Sequence, residues 1–330
     1  MRGSTIGFLT VALGLVVAYI TAAVHAAEHP RPMRIGVLTS SWGPSPQTVG
    51  LRDGLLALGY REDQEFVLGI RFTQGDLTTL PAAARELVQY GVDLIFASQL
   101  FSAKAAQMAT TRIPIVFAGG AGHGDPVEMG LVQSFARPGG NITGVTDLDL
   151  ELGPKRLEVF REIVPGLRRA LYLYDLDDPY AIALAGTYRN AAHRLGIEVV
   201  EQGVRTQAEA KTALAQMQKG DVDGLLPPAS TSLNIPGLVL EAAAQQTLPT
   251  MFGSAFFVQQ GGLASYGPDF YETGRQAARL VDKVLKGANP AEIPVEVNVK
   301  IEFVINLKVA KALGLTIAPE VLYQADRLLR

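Results

Sequence analysis

Beyond residue 30 the chain alternates between short, nearly unbroken apolar runs and stretches with apolar residues every three or four positions. The runs fall at 34–39, 66–72, 92–97 and 113–118, and the helical spacing falls between them at 47–58, 78–90 and 101–110. Apolar residues on consecutive rather than alternate positions predict strands buried on both faces, as in a parallel sheet covered by helices. The order strand, helix, strand, helix is that of a doubly wound α/β unit. Gly59 and Gly196 stand just past two of the helical stretches, where a residue in the left-handed region ends a helix.

The pattern breaks at ARPGGNITGVT (136–146), which reads as a connection, and then restarts. The second series has strands at 170–174, 197–201, 222–226 and 248–252 and helices at 154–163, 179–195, 207–219 and 235–246. The expected fold class is therefore α/β, with two doubly wound parallel-sheet lobes and a boundary near 147. GGLASYGPDF (261–270) opens a last strand–helix pair whose helix runs to about residue 286. KGANPAEIPVE (286–296) leads to an apolar strand at 297–305 and a closing helix at 307–313. No short-period repeat and no low-complexity segment interrupts this order.

A length of 330 residues suits two domains better than one core. With 48% apolar and 18% charged residues and a net charge of −3, the chain reads as globular and lacks the basic surplus that a nucleic-acid partner requires. The absence of cysteine excludes disulfides, thiolate chemistry and cysteine-held metals. At the N-terminus, Arg2 precedes an apolar run from Ile6 to Val24, followed by Val24-His25-Ala26 and polar residues. This is the layout of a secretory signal peptide over 1–26, which predicts a soluble, exported, periplasmic protein. The competing reading is an uncleaved membrane anchor, since a run of about 18 apolar residues can span a bilayer.

The residues do not point to an enzyme. Past the leader the histidines are His29, His123 and His193, none paired at metal-ligand spacing. There is no GxSxG elbow and no GxxxxGK[ST] loop, and GGAGHG (119–124) lacks the glycine spacing of a dinucleotide site. No metal, no cofactor and no catalytic residue is expected. Carboxylates are plentiful in TDLDLE (Asp147, Asp149, Glu151) and YDLDDPY (Asp175, Asp177, Asp178). Asp178-Pro179 and Asp125-Pro126 each allow two readings: a helix cap followed by proline, or a ligand contact.

Open parallel sheets bind ligands outside the carboxyl ends of their strands. At those ends the first unit places Thr39, Ser40, Ser41 and Trp42, then Ser98 and Gln99, then Gly119, Gly120 and Asp125. The second places Tyr174, Asp175 and Asp178, then Ser230 and Thr231, then Ser254 and Phe256. Hydroxyls, amides and carboxylates, with no lysine or arginine, suit a small polar ligand, and a zwitterion such as an amino acid fits them. Trp42, Tyr174 and Phe256 leave room for an apolar or aromatic side chain, although ordinary packing would also explain each of them.

Several stretches resemble the ABC-transporter substrate-binding protein family that includes tryptophan- and tyrosine-type binders. They are IPIVFAGG with DPVEMGLV (113–132), ARPGGNITGVT, GGLASYGPDFYETGRQAARLVDKVLKGANPAEIPVE (261–296) and FVINLKVAKALGLTIAPEVLYQADRLL (303–329). The resemblance implies a type I periplasmic-binding-protein fold: lobe 1 over 27–147 and 262–330, lobe 2 over 148–261, and three crossovers between them. It also implies closure over a ligand and delivery, as a monomer, to a membrane permease. The family's first-strand loop matches Thr39 to Trp42, its third-strand tip matches Ser98-Gln99, and its Asp-Pro matches Asp125-Pro126. Its Asn-Pro element appears as Asp178-Pro179, GGAGHG is longer than the usual form, and PPASTSLNIPG (227–237) departs from it. A sensor subunit for a membrane receptor, or a binder of an aromatic or small carboxylate, remains open at this point.

Overall fold

The computed structural model describes residues 31–120, 125–228 and 230–330. The segment 1–26 expected as a leader, His29, His123 and the rest of 121–124 lie outside the described residues.

The first sheet holds β1 (Met33–Thr39), β2 (Phe66–Phe72), β3 (Leu94–Ala97), β4 (Ile115–Ala118), β5 (Ile142–Thr146) and β11 (Glu296–Val297). All its pairings are parallel, in the order β11-β5-β4-β3-β1-β2. Side chains alternate between two cores. Ile35, Val37, Phe96 and Val116 meet helices α1 (Pro46–Ala57) and α9 (Phe270–Leu285) on one face. Leu38, Ile95 and Phe117 meet α2 (Leu80–Gln89) and α3 (Leu100–Ala109) on the other. Burial on both faces is why these strands read as unbroken apolar runs.

The second lobe is built around β6 (Arg169–Asp175), β7 (Glu198–Val204) and β8 (Gly224–Leu225), in the order β7-β6-β8. A bridge from Leu225 to Thr250 joins them to β9 (Met251–Phe252), which continues through β10 (Ala264–Pro268), β12 (Ile301–Asn306) and β13 (Arg327–Leu329). Helices α4 (Gly153–Ile163) and α5 (Pro179–Leu195) cover one face, and α6 (Gln207–Gln216) and α7 (Ile235–Gln246) cover the other. Short α8 (Ala255–Gln259) follows β9, and α10 (Leu307–Ala312) and α11 (Pro319–Gln324) close the chain.

Three expectations are corrected. The stretch 142–146, read as connection, is the buried strand β5; the turn signals belong to 137–141 just before it, and Ile142, Thr143 and Val145 are β-branched. The single strand expected at 297–305 is two strands in different sheets, since β11 pairs with β5 and β12 pairs antiparallel to β10. The division at 262 also shifts, because β10, β12 and β13 all pair in the second sheet. Only the segment from α9 to β11 returns to the first lobe. That segment looked continuous with its flanks because apolar runs do not say which sheet edge they join.

The chain thus passes between lobes at 147–152, 268–270 and 298–300. Buried Asn298 ties these crossings together. Its backbone N–H donates to Thr146 O at 2.7 Å, and its side-chain amide donates to Asp269 O and to Thr273 Oγ1, both at 2.9 Å. Helix α9 lies against α1 so closely that a Cβ on Gly50 would fall inside the Tyr271 carbonyl and one on Gly274 inside that of Gln47. This packing fixes the first turn of α1, which borders the site.

Candidate ligand-binding cleft

A cavity of about 410 Å³ opens between the lobes at the carboxyl ends of both sheets. That is within the range of small-molecule sites.

The lobe 1 wall grows from strand tips. At the end of β1, Thr39 is fully buried and its Oγ1 lies 2.8 Å from Ser41 Oγ, while Ser41 N donates to the same oxygen at 3.2 Å. The Ser40 hydroxyl donates to Gln99 Oε1 and so joins the β1 and β3 tips. Thr39 and Ser40 therefore brace the loop, and Ser41 and Trp42 reach the cavity. After β3, Ser98 and Gln99 line it, and after β4, Gly119 and Gly120 do. Ser98 Oγ is buried with no hydrogen-bond partner among the described residues. Gln99 is the N-cap of α3, and its own side chain makes no cap hydrogen bond. Asp147 completes this wall: Gly120 N donates to its Oδ2 at 2.9 Å and Asp149 N to its Oδ1 at 3.3 Å.

The lobe 2 wall is aromatic and anionic. Tyr180, Phe256 and Phe257 line it together with Asp149, Thr231 and Ser254, Phe270 joins them from the start of α9, and Glu241 stands at the rim. Thr231 Oγ1, like Ser98 Oγ, is buried without a partner among the described residues. Behind this wall Arg156 is fully buried. Its guanidinium donates to Asp149 Oδ1, to Tyr266 O at 2.7 Å and to Tyr188 Oη at 3.0 Å, and the Tyr180 hydroxyl donates to Asp149 Oδ2. Burial lowers the pKa of Arg156, but the Asp149 carboxylate together with Tyr188 and Tyr180 outweighs it, so the pKa stands above its ordinary value and the guanidinium stays charged. Burial, with Asp149 beside it, pushes the Tyr180 phenol well above its ordinary range, so it stays a donor. No lysine or arginine is among the described residues that line the cavity.

Of the residues singled out in the sequence, Ser41, Trp42, Ser98, Gln99, Gly119, Gly120, Ser254 and Phe256 lie on the cavity wall. Thr231 does so as well, whereas the other residues chosen at strand ends do not. Asp125 Oδ1 accepts from Val127 N at 2.6 Å and Glu128 N at 3.2 Å, which closes a local turn. Tyr174 stacks on Tyr172 with centroids 5.1 Å apart. Asp175 accepts from Asp177 N at 2.8 Å, and burial raises its pKa. Asp178 caps α5 by accepting from Tyr180 N at 3.0 Å and Ala181 N at 3.4 Å, so its part is to start the helix that carries Tyr180 to the cavity. Ser230 Oγ sits 3.0 Å from Ser232 Oγ. Gln47, Asp147, Asp149, Tyr180 and Glu241 line the cavity without having been chosen. One signal pointed to Arg156: it falls in register with Val159, Phe160 and Ile163, the buried stripe of α4.

Two lobes of this topology, joined by three crossings around such a cleft, define a type I periplasmic-binding-protein fold. The model of the family described as ABC transporter substrate binding protein matches residues 35–329, and the chain belongs to that family. A tyrosine-binding protein of Clostridioides difficile is 30% identical over 260 residues, which cover 78% of this chain and 73% of that protein. The structure of an ABC domain from Streptococcus pneumonia in complex with L-Trp matches with a TM-score of 0.78 and 28% identity, covering 90% of this chain and 100% of that one. A conserved domain protein from Vibrio cholerae gives the same TM-score of 0.78 and 28% identity, over 90% of this chain and 99% of that one. No helix among the described residues is long and apolar enough to cross a membrane.

Proposed function

We propose that this chain is the extracytoplasmic binding subunit of an ABC uptake transporter and that its ligand is an amino acid with an aromatic side chain. The observation that carries this reading is the cavity's sorting of chemistry. The buried hydroxyls of Ser98 and Thr231, without a partner among the described residues, face the cavity from lobe 1 and lobe 2, carboxylates line the floor, aromatic rings crowd the second lobe's side, and no cation is among the described lining residues. A ligand carboxylate is satisfied by Ser98 Oγ on the lobe 1 wall, near the end of α3 whose dipole favours negative charge. Its ammonium group is satisfied on the Asp147 side, and its ring lies among Trp42, Tyr180 and Phe256. That relatives include a tyrosine-binding protein and an L-Trp complex supports the same class.

In this reading the protein works as a monomer, exported by its N-terminal segment to the periplasm. It closes about the crossings on its ligand and presents the closed form to a membrane permease. Ligand binding shifts the open–closed population toward closure.

The test is a thermal-shift and calorimetric screen of residues 27–330 against L-tryptophan, L-tyrosine, L-phenylalanine and L-leucine, with their decarboxylated and deaminated analogues. A ligand that binds only the folded state stabilises it by about 2.7 kcal/mol at a hundred times its Kd. Stabilisation by an aromatic amino acid above either of its analogues is the expected result. No response to any amino acid, with a response to a simple aromatic carboxylate, would replace the ligand class.

A further inference from the structure

We propose that Arg156, which does not line the cavity, sets the charge selectivity of the site: by neutralising Asp149 it lets the cleft favour a zwitterion over the corresponding amine. The inference rests on the amino-acid reading above and deepens it.

Two carboxylates, Asp147 and Asp149, lie on the floor of the cavity, and Glu241 is at its exposed rim. If both floor carboxylates faced the ligand uncompensated, the site would prefer a dication or a simple amine, and a ligand carboxylate would be repelled. Arg156 changes that balance from behind. It reaches Asp149 Oδ1 from α4, and the Tyr180 hydroxyl takes Asp149 Oδ2, so both carboxylate oxygens are engaged from within the second lobe. Tyr266 O and Tyr188 Oη take the remaining guanidinium donors that the structure pairs, and orient its plane. The space for this group is provided by Gly253, where a Cβ would lie 3.0 Å from Arg156 Cζ and 3.1 Å from Asp149 Oδ1. Asp149 therefore enters the cavity wall as half of a neutral pair, and the floor is less anionic than its two carboxylates alone would make it.

Buried opposite charges interact strongly because little water screens them. Removing either partner uncovers the other next to the ligand, and the two removals have opposite signs. Arg156→Met leaves the Asp149 carboxylate uncompensated and favours cations. Asp149→Asn leaves the guanidinium uncompensated and favours anions. A role confined to holding the lobe together would move all ligands the same way.

The experiment measures Kd by calorimetry for three ligands on each protein: L-tryptophan, tryptamine and indole-3-propionate, or L-tyrosine, tyramine and 3-(4-hydroxyphenyl)propionate where tyrosine binds better. In wild type the amino acid binds tightest. In Arg156→Met the ratio of amine to amino-acid affinity rises about tenfold. In Asp149→Asn the ratio of deaminated acid to amino acid rises about tenfold. Arg156→Lys, which keeps the charge, retains the wild-type order. If Arg156→Met does not fold, the near-isosteric Asp149→Asn still decides, because its predicted shift has a defined sign. Equal loss for all three ligands in the variants, with wild-type binding intact, overturns the role of Arg156 and leaves the amino-acid reading standing. Wild-type protein that binds neither amino acid overturns that reading, and this inference with it.

Discussion

The two walls of the cleft are held in different ways. The lobe 1 wall is a set of strand tips, each braced by neighbours close in sequence or on the adjoining strand: Thr39 with Ser41, and Ser40 with Gln99. Its framework is an all-parallel sheet sealed by closely packed helices. The lobe 2 wall draws its polar geometry from a buried charge. Arg156 gathers Asp149 from a crossing, Tyr188 from α5 and the carbonyl of Tyr266 from β10, across separations of up to 110 residues. A wall of strand tips is cheap to build, because backbone pairing already orders the sheet. A wall ordered by a buried ion requires every donor to be met, since an unmet charge there costs several kcal/mol. The first wall should therefore fail by loss of packing, and the second by loss of charge balance.

The largest effect expected on the first wall comes from Gly274→Val. Its Cβ would enter the space of the Gln47 carbonyl, so α9 and α1 must part. The expected loss is about 3 kcal/mol, the upper part of the overpacking range, read from the midpoint of urea unfolding. A loss under about 1 kcal/mol would mean that the helix pair does not hold this wall.

A smaller effect is expected where the walls meet. Gly75 has φ +84°, and a Cβ there would lie 3.1 Å from Thr231 O and 3.2 Å from Leu233 N in the opposite lobe. Gly75→Ala adds backbone strain of about 1 kcal/mol and also props the cleft open. Affinity for the best ligand should fall about tenfold, or about 1.4 kcal/mol. Scattering at saturating ligand should show a wider particle than wild type. Unchanged affinity would show that these two loops can part without affecting closure.

The same contrast explains what the sequence made legible. Continuous apolar runs announced buried parallel strands, and the polar residues at their ends named most of the lobe 1 wall: Ser41, Trp42, Ser98, Gln99, Gly119 and Gly120 all line the cavity. In lobe 2 only Thr231, Ser254 and Phe256 of the chosen residues do so. Tyr174, Asp175, Asp178 and Ser230 were chosen by the same rule, but the Tyr174 ring stacks on Tyr172 and the other three have polar groups engaged by local partners. Asp149 and Tyr180 reach the cavity from a crossing and from inside a helix, and strand-tip logic does not address either position. Arg156 reads as a solvated charge in PKRLE until the stripe of α4 is laid out. Membership of the last strands in the second sheet was hidden for a related reason: pairing partners far apart in the chain leave no mark in a local pattern.

The finest test of the contrast pairs Ser98→Ala with Asp178→Ala. Both residues are 1% exposed and both end a strand-to-helix turn, yet they are placed to do different things. Ser98 Oγ has no partner among the described residues and lies on the cavity wall. Removing it should leave unfolding stability unchanged within about 0.5 kcal/mol, because no protein hydrogen bond is lost. Ligand affinity should fall roughly fivefold, or about 1 kcal/mol. Asp178 accepts from the first N–H groups of α5. Its removal should cost about 1 kcal/mol of stability, as for other lost helix caps, while affinity stays within about twofold. Each variant needs both a denaturation midpoint and a calorimetric Kd. A stability loss in Ser98→Ala would make that hydroxyl structural. An affinity loss in Asp178→Ala beyond its stability cost would return that carboxylate to the binding site, as the Asp-Pro pattern first allowed.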